Sequence, residues 1–247
     1  MPTILAIETA TAFCSVALVA EQHVLAELTL NQPRSHATHL PDMIQQVMHF
    51  SGLVWKDLDG IAVSVGPGSY TGLRIGVSAA KAIAFAHEKP LVGVNSLRGL
   101  AQLVDPFMAD GDLVCSFLDA RRDEVYAAAF RKKGPVLEGE KDTTALVTAE
   151  LKDWLAPESL PPKQSVWLVG DGARKCIEPL EAAGWRGRLN LLPESACFPT
   201  ARAIAQCVTV LTPEDVQNVR DMEPFYYKVF VAAKPSRTIR ERTPQND

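Results

Sequence analysis

Short apolar runs alternate with amphipathic segments along the first part of the chain. The apolar runs are rich in β-branched residues, which is typical of strands, whereas apolar positions three and four residues apart predict helices. Together they predict the order βββαβαβα, with elements at 3–8, 15–19, 24–30, 38–51, 61–65, 72–87, 91–94 and 96–104. Ser96 is the predicted cap of the last helix, and a boundary is predicted at 106–111.

A similar order of elements starts again beyond this boundary. Strands are expected at 113–118, 124–130, near 136, at 165–169 and at 189–192, and helices around 147–155, 173–183 and 200–211. The repeat predicts an α/β protein built by structural duplication, although the two halves share negligible residue identity. The polar end, from Lys234 to Asp247, lacks apolar periodicity and is expected to be a loose tail.

A glycine-rich turn separates the fourth predicted strand from the second predicted helix. The run from Val63 to Gly76 reads VSVGPGSYTGLRIG. Glycines in such a turn either bring backbone N–H groups to an anion or let the chain reverse sharply. The spacing matches neither G-x-x-x-x-G-K-[ST] nor G-x-G-x-x-G, so it does not favour phosphate binding.

Small residues recur every four positions in the helix that follows the turn. They form a stripe without bulk, which comprises Gly72, Gly76, Ala80 and Ala84 and is widened by Ala79, Ala82, Ile83 and Ala86. Glycine inside a helix costs roughly 1 kcal/mol relative to alanine, so Gly76 indicates a close contact. That contact is either a partner packed against the helix or the chain's own sheet beneath it.

Composition and charge exclude several classes of protein. The five cysteines form no C-x-x-C pair, which indicates reduced thiols and argues against disulfides and structural zinc. No basic segment precedes the first strand and no 18-residue apolar run occurs, so we expect a cytoplasmic protein without a membrane partner. A net charge of −4 argues against a free-standing nucleic-acid binder. His36 and His39 lack a third ligand nearby, so no metal site is expected.

Several short motifs resemble the bacterial TsaB family, also called YeaZ. The most specific is the run from Gly66 to Gly76, and further matches lie at 4–11, 89–97, 118–121, 124–126 and 223–227. Lys228 stands where the family more often has arginine. The resemblance covers about residues 3–232. It implies two duplicated actin-like lobes of the ASKHA superfamily, each a ribonuclease H-like mixed sheet flanked by helices.

The implied domains and function follow from the same resemblance. An N-terminal lobe with dimerisation helices would span 1–107, a C-terminal lobe 108–232 and a disordered tail 233–247. The implied process is formation of N6-threonylcarbamoyladenosine at adenosine 37 of tRNAs that read A-starting codons. The implied partners are the catalytic paralogue TsaD, the ATPase TsaE and, as supplier of the activated threonylcarbamoyl group, TsaC. The tRNA would be reached through this complex.

Comparison with TsaD bears on whether this chain could catalyse. The phosphate-loop aspartate of TsaD falls on Ala12, and its two metal-binding histidines fall on Ser96 and Leu100. Leucine has no donor atom and a neutral serine hydroxyl is a poor ligand. No catalytic residue, metal or cofactor is therefore expected in this chain.

A non-catalytic scaffold is the leading hypothesis. Helices 38–51 and 72–87 are expected to pair with TsaD, and with a second copy of the chain as a homodimer when TsaD is absent. The predicted interface residues are apolar or small, namely Leu40, Met43, Ile44, Val47, Leu73, Gly76, Val77, Ala80 and Ala84. Truncating Val47 or enlarging Ala80 is expected to weaken pairing while the chain stays folded.

Two enzymatic hypotheses are alternatives. A small-molecule kinase or ATPase of the same superfamily would use a cleft between the lobes, with phosphate near Glu8, Gly68, Gly170 and Gly172. A peptidase acting on TsaD is the third hypothesis, although no serine of the chain lies in a G-x-S-x-G motif. The charged run 119–124 is interpreted as a solvated hairpin rather than a catalytic cluster.

Overall fold

The computed structural model contains two mixed β-sheets of five strands each, with helices packed against them. It describes residues 2–32, 36–155, 164–182, 184, 188–193, 196–208, 211–212, 214 and 216–228. The two sheets and their helices confirm the predicted fold class of two actin-like lobes. The predicted tail at 233–247 lies outside the described residues.

The first sheet follows the predicted strands to within two residues at each end. Its strands are β1 (Thr3–Glu8), β2 (Phe13–Ala20), β3 (His23–Asn31), β4 (Gly60–Gly66) and β5 (Leu91–Asn95). They lie in the order β3-β2-β1-β4-β5. β2 is antiparallel to β1, whereas β4 runs parallel to β1 and β5 parallel to β4. β1 and β4 are almost continuously buried, because helices cover both faces of the sheet.

Two long helices lie side by side on one face of this sheet. They are α1 (His36–Ser51) and α2 (Tyr70–Ala86). The Ser69 side chain caps α2 by accepting a hydrogen bond from the Gly72 N–H at 3.3 Å. No helix in the described part of the chain is both long enough and apolar enough to cross a membrane.

The second sheet repeats the strand order of the first. Its strands are β6 (Leu113–Asp119), β7 (Glu124–Lys133), β8 (Val136–Val147), β9 (Ser165–Val169) and β10 (Arg188–Leu191). They lie in the order β10-β9-β6-β7-β8, so the first strand of this lobe is again central. The helices α4 (Leu151–Trp154) and α5 (Ala173–Ala182) belong to this lobe and pack against each other.

One prediction for the second lobe was wrong in extent, and one helix was confirmed with a different helix type in its first turn. The strand expected only near Val136 is the twelve-residue edge strand β8. Its central residues, from Glu138 to Asp142, are polar and exposed, so they carry no apolar alternation by which a strand could be recognised. The helix expected around 147–155 is a 3₁₀ turn at Thr148–Glu150 followed by the single turn of α4.

The last helix of each half of the chain packs on the sheet of the other half. α3 (Ser96–Gln102) buries Leu97 and Leu100 in a core shared with the second sheet. α6 (Ala201–Gln206) buries Ile204 and Ala205 against the remaining face of the first sheet. The two helices also contact each other. The two lobes are therefore joined by exchanged helices, and the predicted boundary between them stays a prediction.

The cap of α3 differs from the prediction by one residue. Asn95, and not Ser96, is the N-cap, because its Oδ1 accepts hydrogen bonds from the N–H groups of Leu97 at 2.9 Å and Arg98 at 3.3 Å. Ser96 is the first helical residue and is fully buried. Both residues are good helix caps, so local sequence alone could not choose between them.

Candidate functional site

A buried carboxyl group lies beside the glycine-rich turn, where β1 and β4 end. Glu8 is fully buried, and its Oε1 accepts hydrogen bonds from the Ala10 N–H at 2.5 Å and the Ser64 hydroxyl at 3.0 Å. Its Oε2 has no hydrogen-bond partner among the described residues. Burial raises the pKa of Glu8 to about 7, although the hydrogen bonds from Ala10 and Ser64 oppose the shift. Near neutral pH this carboxyl group is therefore only partly ionised.

The glycine-rich turn packs directly on the loop that follows β1. The Ser69 N–H donates to the Ala10 carbonyl at 2.6 Å, and a Cβ placed on Gly68 would lie 2.4 Å from the same oxygen. A Cβ on Gly72 would lie 2.1 Å from the Thr9 carbonyl oxygen. Only glycine fits at such distances. The small-residue stripe is thus explained by α2 lying flat on its own sheet, which was one of the two interpretations.

Several backbone N–H groups of this turn and of the loop after β1 are already used within the chain. Ala10 donates to Glu8, Ser69 donates to Ala10, and Gly72 donates to the Ser69 side chain. A phosphate bound here would have to replace these hydrogen bonds. The structure brings Glu8 and Gly68 together, as the kinase hypothesis requires, but these contacts support a role in reversing the chain.

The corresponding turn of the second lobe is closed in the same way. Gly170 and Gly172 lie between β9 and α5. The Gly170 N–H donates to the Cys197 sulfur at 2.7 Å, and the Gly172 N–H donates to the Phe117 carbonyl at 3.1 Å. Gly170 has a φ of +102°, and a Cβ there would lie 1.9 Å from the Phe117 oxygen. These glycines allow close packing of the chain on β6.

The charged run 119–124 forms the hairpin between β6 and β7, as predicted. The Lys175 ammonium lies 2.6 Å from Asp119 Oδ1, which also accepts the Arg121 N–H at 2.7 Å. Partial burial raises the pKa of Asp119, but the hydrogen bonds from Lys175 and Arg121 outweigh it and hold that pKa below its usual value. Arg121 and Arg122 have φ values of +72° and +57°, and both side chains are exposed. The charges of this turn are exposed to solvent or paired with lysines outside the run, Lys175 and Lys228.

The histidines near the start of α1 make local contacts. His36 is buried, and its Nε2 lies 3.1 Å from the Phe13 carbonyl oxygen. His39 is half-buried. Within the described ranges, no three His, Cys, Asp or Glu side chains are grouped so that they could hold a metal ion.

The nine residues predicted at a partner interface are buried within this chain. Leu40, Met43, Ile44 and the other six lie on the inner side of α1 and α2. Val47 and Ala80 are fully buried, so truncating one or enlarging the other would disturb the fold itself. The expectation that such variants stay folded does not agree with this burial. The role of α1 and α2 in pairing stays a prediction.

The outer sides of the same helices carry exposed apolar groups. Phe50, near the end of α1, is 65% exposed, and Phe85, near the end of α2, is 72% exposed. Ala82 and Ala86 are exposed beside Phe85, and Ile83 is half-buried. We call these five residues the outer helix face. It combines large aromatic side chains with small residues that permit close approach of another surface.

Comparison with known proteins identifies the family of this chain. A family model described as "TsaD: tRNA N6-adenosine threonylcarbamoyltransferase" matches residues 23–178. The tRNA threonylcarbamoyladenosine biosynthesis protein TsaB of Escherichia coli (strain K12) is 36% identical over 172 residues, which are 68% of this chain and 71% of that protein. The chain belongs to the TsaB family. The TsaB protein of Bacillus subtilis (strain 168) is 35% identical over 153 residues, covering 62% of this chain and 64% of its own length.

A solved structure shares the fold over most of the chain. It is described as an uncharacterized protein from Pseudomonas aeruginosa with similarity to the peptidase YeaZ. It matches with a TM-score of 0.72 at 24% sequence identity, and it covers 92% of this chain and 100% of that chain. The resemblance to the TsaB or YeaZ family and the predicted two-lobed fold are both confirmed.

In this TsaB-family chain the positions compared with the metal-binding histidines of TsaD are buried, and the position compared with its phosphate-loop aspartate is an exposed alanine. Ser96 and Leu100 are fully buried in α3, and Leu100 belongs to the core shared with the second sheet. Ala12 is exposed in the loop between β1 and β2. None of the three side chains supplies a good metal ligand.

The apolar and polar pattern of the sequence did not predict the course of the segment 216–228, which lies near this site. The segment 216–228 follows α6 along the first lobe, lies against α2 and the glycine-rich turn, and ends beside the hairpin between β6 and β7 of the second lobe. Its residues 223–227 matched the TsaB family, but they have no helical or strand periodicity. Contacts made by such an extended segment are set by its partners and not by its own pattern.

Proposed function

We propose that this chain is a non-catalytic scaffold subunit in the formation of N6-threonylcarbamoyladenosine in tRNA. It pairs with the catalytic paralogue TsaD, in a cytoplasmic complex that also includes TsaE and receives its activated group from TsaC. The names of the TsaB relatives in Escherichia coli and Bacillus subtilis support a part in threonylcarbamoyladenosine biosynthesis. The outer helix face is the observation that carries the pairing role.

The internal hydrogen bonds of the glycine-rich turns in the two lobes support the proposal that the chain does not catalyse. The turns that would hold phosphate in a kinase of this fold use their N–H groups in internal hydrogen bonds, at Ser69 and Gly72 in one lobe and at Gly170 and Gly172 in the other. Glu8 is fully buried, so a substrate would have to displace packed chain to reach it. A group acting in catalysis must come within hydrogen-bond reach of the reacting atoms.

The outer helix face supports the pairing part. Exposed phenylalanines are expensive in water, and aromatic residues are enriched at protein interfaces. Phe50 and Phe85 lie on neighbouring helices that are held rigidly by their buried inner sides. Small exposed residues of the outer helix face, such as Ala82, let a partner helix approach closely. In the absence of TsaD the same face would pair with a second copy of this chain.

Binding of TsaD to surface variants tests the proposal. We expect Phe85→Glu to weaken binding at least tenfold, because a charge would be buried in an apolar contact. Phe107→Glu is the matched control, because Phe107 is similarly exposed, at 66%, but lies on the turn at Asp105–Phe107, where its ring centre is 6.4 Å from that of Trp167 in β9. Equal affinity of both variants and of the unchanged chain, measured by calorimetry, would place the interface elsewhere.

Raising the TsaD concentration distinguishes a variant that pairs weakly from a variant that has lost a catalytic group. In a reconstituted tRNA modification assay, the Phe85→Glu chain should regain activity as TsaD concentration is raised, by mass action. A variant that has lost a catalytic group would not regain activity in this way. Calorimetry of the isolated chain with ATP and Mg²⁺ provides the opposite test, because micromolar binding would favour the kinase or ATPase alternative.

A further inference from the structure

The segment 216–228 is anchored first to the edge of the first sheet. The Gln217 N–H donates to the Leu91 carbonyl of β5 at 2.9 Å. Met222 is 4% exposed and belongs to the apolar core beneath α1 and α2. The segment therefore continues along the first lobe after α6, which itself packs on the first sheet.

Helix α2 holds the middle of the segment through one lysine. The Lys81 ammonium donates to the Arg220 carbonyl at 2.9 Å and to the Met222 carbonyl at 2.9 Å. Nearer the start of the same helix, Arg74 donates through Nε to the Tyr226 hydroxyl at 3.0 Å. Two basic side chains on one helix thus hold the backbone and a side chain of the segment.

The glycine-rich turn forms the next anchor. The Phe225 N–H donates to the Val65 carbonyl at 2.6 Å. Gly66 has a φ of +119°, and a Cβ on it would lie 2.5 Å from the Phe225 carbonyl oxygen. The segment lies so close to the turn that a side chain at position 66 would push it away.

The end of the segment crosses to the second lobe. The Lys228 ammonium donates to the Ala120 carbonyl at 2.9 Å and lies 2.6 Å from Glu124 Oε2, both in the hairpin between β6 and β7. It also lies 5.7 Å from the centre of the Tyr126 ring. The Tyr227 ring packs edge-on against the Tyr126 ring, with 6.4 Å between centroids.

We propose that residues 216–228 form a strap that holds the two lobes in one relative orientation. Its anchors on the two lobes, at Phe225 and Lys228, are only three residues apart, and three residues span at most about 11 Å even when fully extended. The lobes cannot separate at this edge unless one anchor breaks. This property does not depend on the proposed function, because it concerns the isolated chain.

Hydrogen exchange in the full chain tests the anchor on the second lobe. In Lys228→Ala, exchange of the Phe225 amide should accelerate by about fivefold, because a charge-assisted pair and a carbonyl contact are lost together. Lys228→Arg should keep the slow exchange, since a guanidinium can also bind Glu124. Lys133→Ala is the matched control, because it removes a lysine whose partner, Glu138, lies on the neighbouring strand of the same sheet. Unchanged exchange in Lys228→Ala would overturn the proposal.

A distance measurement tests whether the strap restrains the lobes. Spin labels on Gln46→Cys of α1 and Lys152→Cys of α4 would report the spacing of the lobes, with Cys207 replaced by alanine because it is partly exposed. We expect one narrow distance distribution in the reference chain and in Lys228→Arg, and a broader one in Lys228→Ala. Lys81→Met loosens the other end and should broaden the distribution in the same way. Identical distributions in all four chains would also overturn the proposal.

Discussion

The Ser64 hydroxyl donates to Oε1 of Glu8 across 3.0 Å, while Oε2 of the same carboxyl group has no partner within the described part of the chain. This buried, half-satisfied acid makes stability depend on pH. Because its pKa is raised from 4.5 to about 7 on folding, the folded chain binds more protons than the unfolded chain between these values. The Glu8 contribution to stability is therefore present at low pH and is lost as pH rises to 7.

The first prediction concerns that dependence. Above pH 7 the ionised Glu8 should lower the free energy of unfolding by about 3 kcal/mol relative to pH 4.5. Glu8→Gln is neutral at every pH, so its difference from the unchanged chain should grow between pH 4.5 and 7 and then level off. Urea unfolding at pH 5 and pH 8 measures this difference. A difference that is the same at both values would show that Glu8 does not titrate in this range.

The second prediction uses the same variant in the tRNA modification assay. If Glu8 has no catalytic role, Glu8→Gln should keep modification within several-fold of the unchanged chain, whereas a catalytic carboxylate contributes a factor of about 10² or more. TsaD affinity must be measured beside it. A hundredfold loss of modification at unchanged affinity would contradict the scaffold proposal.

The third prediction tests the close approach of α2 to β1. Gly72→Ala should lower the free energy of unfolding by roughly 1 to 3 kcal/mol, because the added Cβ meets the Thr9 carbonyl and neither backbone can move freely. Gly139→Ala is the control, because no heavy atom lies within 4 Å of a Cβ there. It should be neutral or slightly stabilising. Equal effects of the two substitutions would mean that the contact at Gly72 relaxes easily.

The fourth prediction compares two alanines of the same helix. Ala80 is fully buried, so Ala80→Leu should lower stability by about 1 to 3 kcal/mol. Ala82 is exposed on the outer helix face, so Ala82→Leu should leave the melting temperature nearly unchanged and alter only pairing. Thermal unfolding and binding of TsaD, measured on both variants, separate the inner and outer sides of α2. The opposite order of stability effects would contradict the described orientation of the helix.

The fifth prediction concerns the hairpin between β6 and β7. Arg122 has a φ of +57°, a conformation that asparagine adopts more easily than arginine. Arg122→Asn should therefore raise the free energy of unfolding by roughly 0.5 to 1 kcal/mol. Arg122→Ala is the control, because it removes the same charge without favouring that conformation. A gain of equal size in both variants would assign the effect to charge.

The local pattern of apolar and polar residues was sufficient to predict the helices and strands, but it did not predict what they pack against. The buried strands β1 and β4 were predicted within two residues, because their apolar runs are continuous and buried on both faces, whereas the exposed edge strand β3 was recognised by its partial alternation. An apolar stripe such as that of Val47 and Ala80 shows which side of a helix is buried, but it does not show whether a sheet or a partner covers it. The exchange of α3 and α6 between the sheets cannot be predicted from the sequence pattern either, because both helices have apolar faces that would fit either sheet.

Part of the candidate site was also accessible from sequence. The kinase hypothesis placed Glu8 and Gly68 near one phosphate, and the structure brings them together because the parallel strands β1 and β4 end at the same edge of the sheet. That the turn is filled by Ala10 and overlaid by Phe225 could not be predicted, because both contacts join segments that are distant in the chain. Chain reversal and phosphate binding need the same glycines, and only their neighbours distinguish the two roles.

The exchanged helices affect how this protein can be made. When the first 107 residues have left the ribosome, Ile4, Ala6 and Val94 on one face of the first sheet still lack their cover, which arrives only with Ile204 and its neighbours. Uncovered apolar sheet surface favours aggregation during synthesis. Folding of the first lobe is thus completed only after almost the entire chain has been translated, and a fragment limited to the first lobe would expose this face to water.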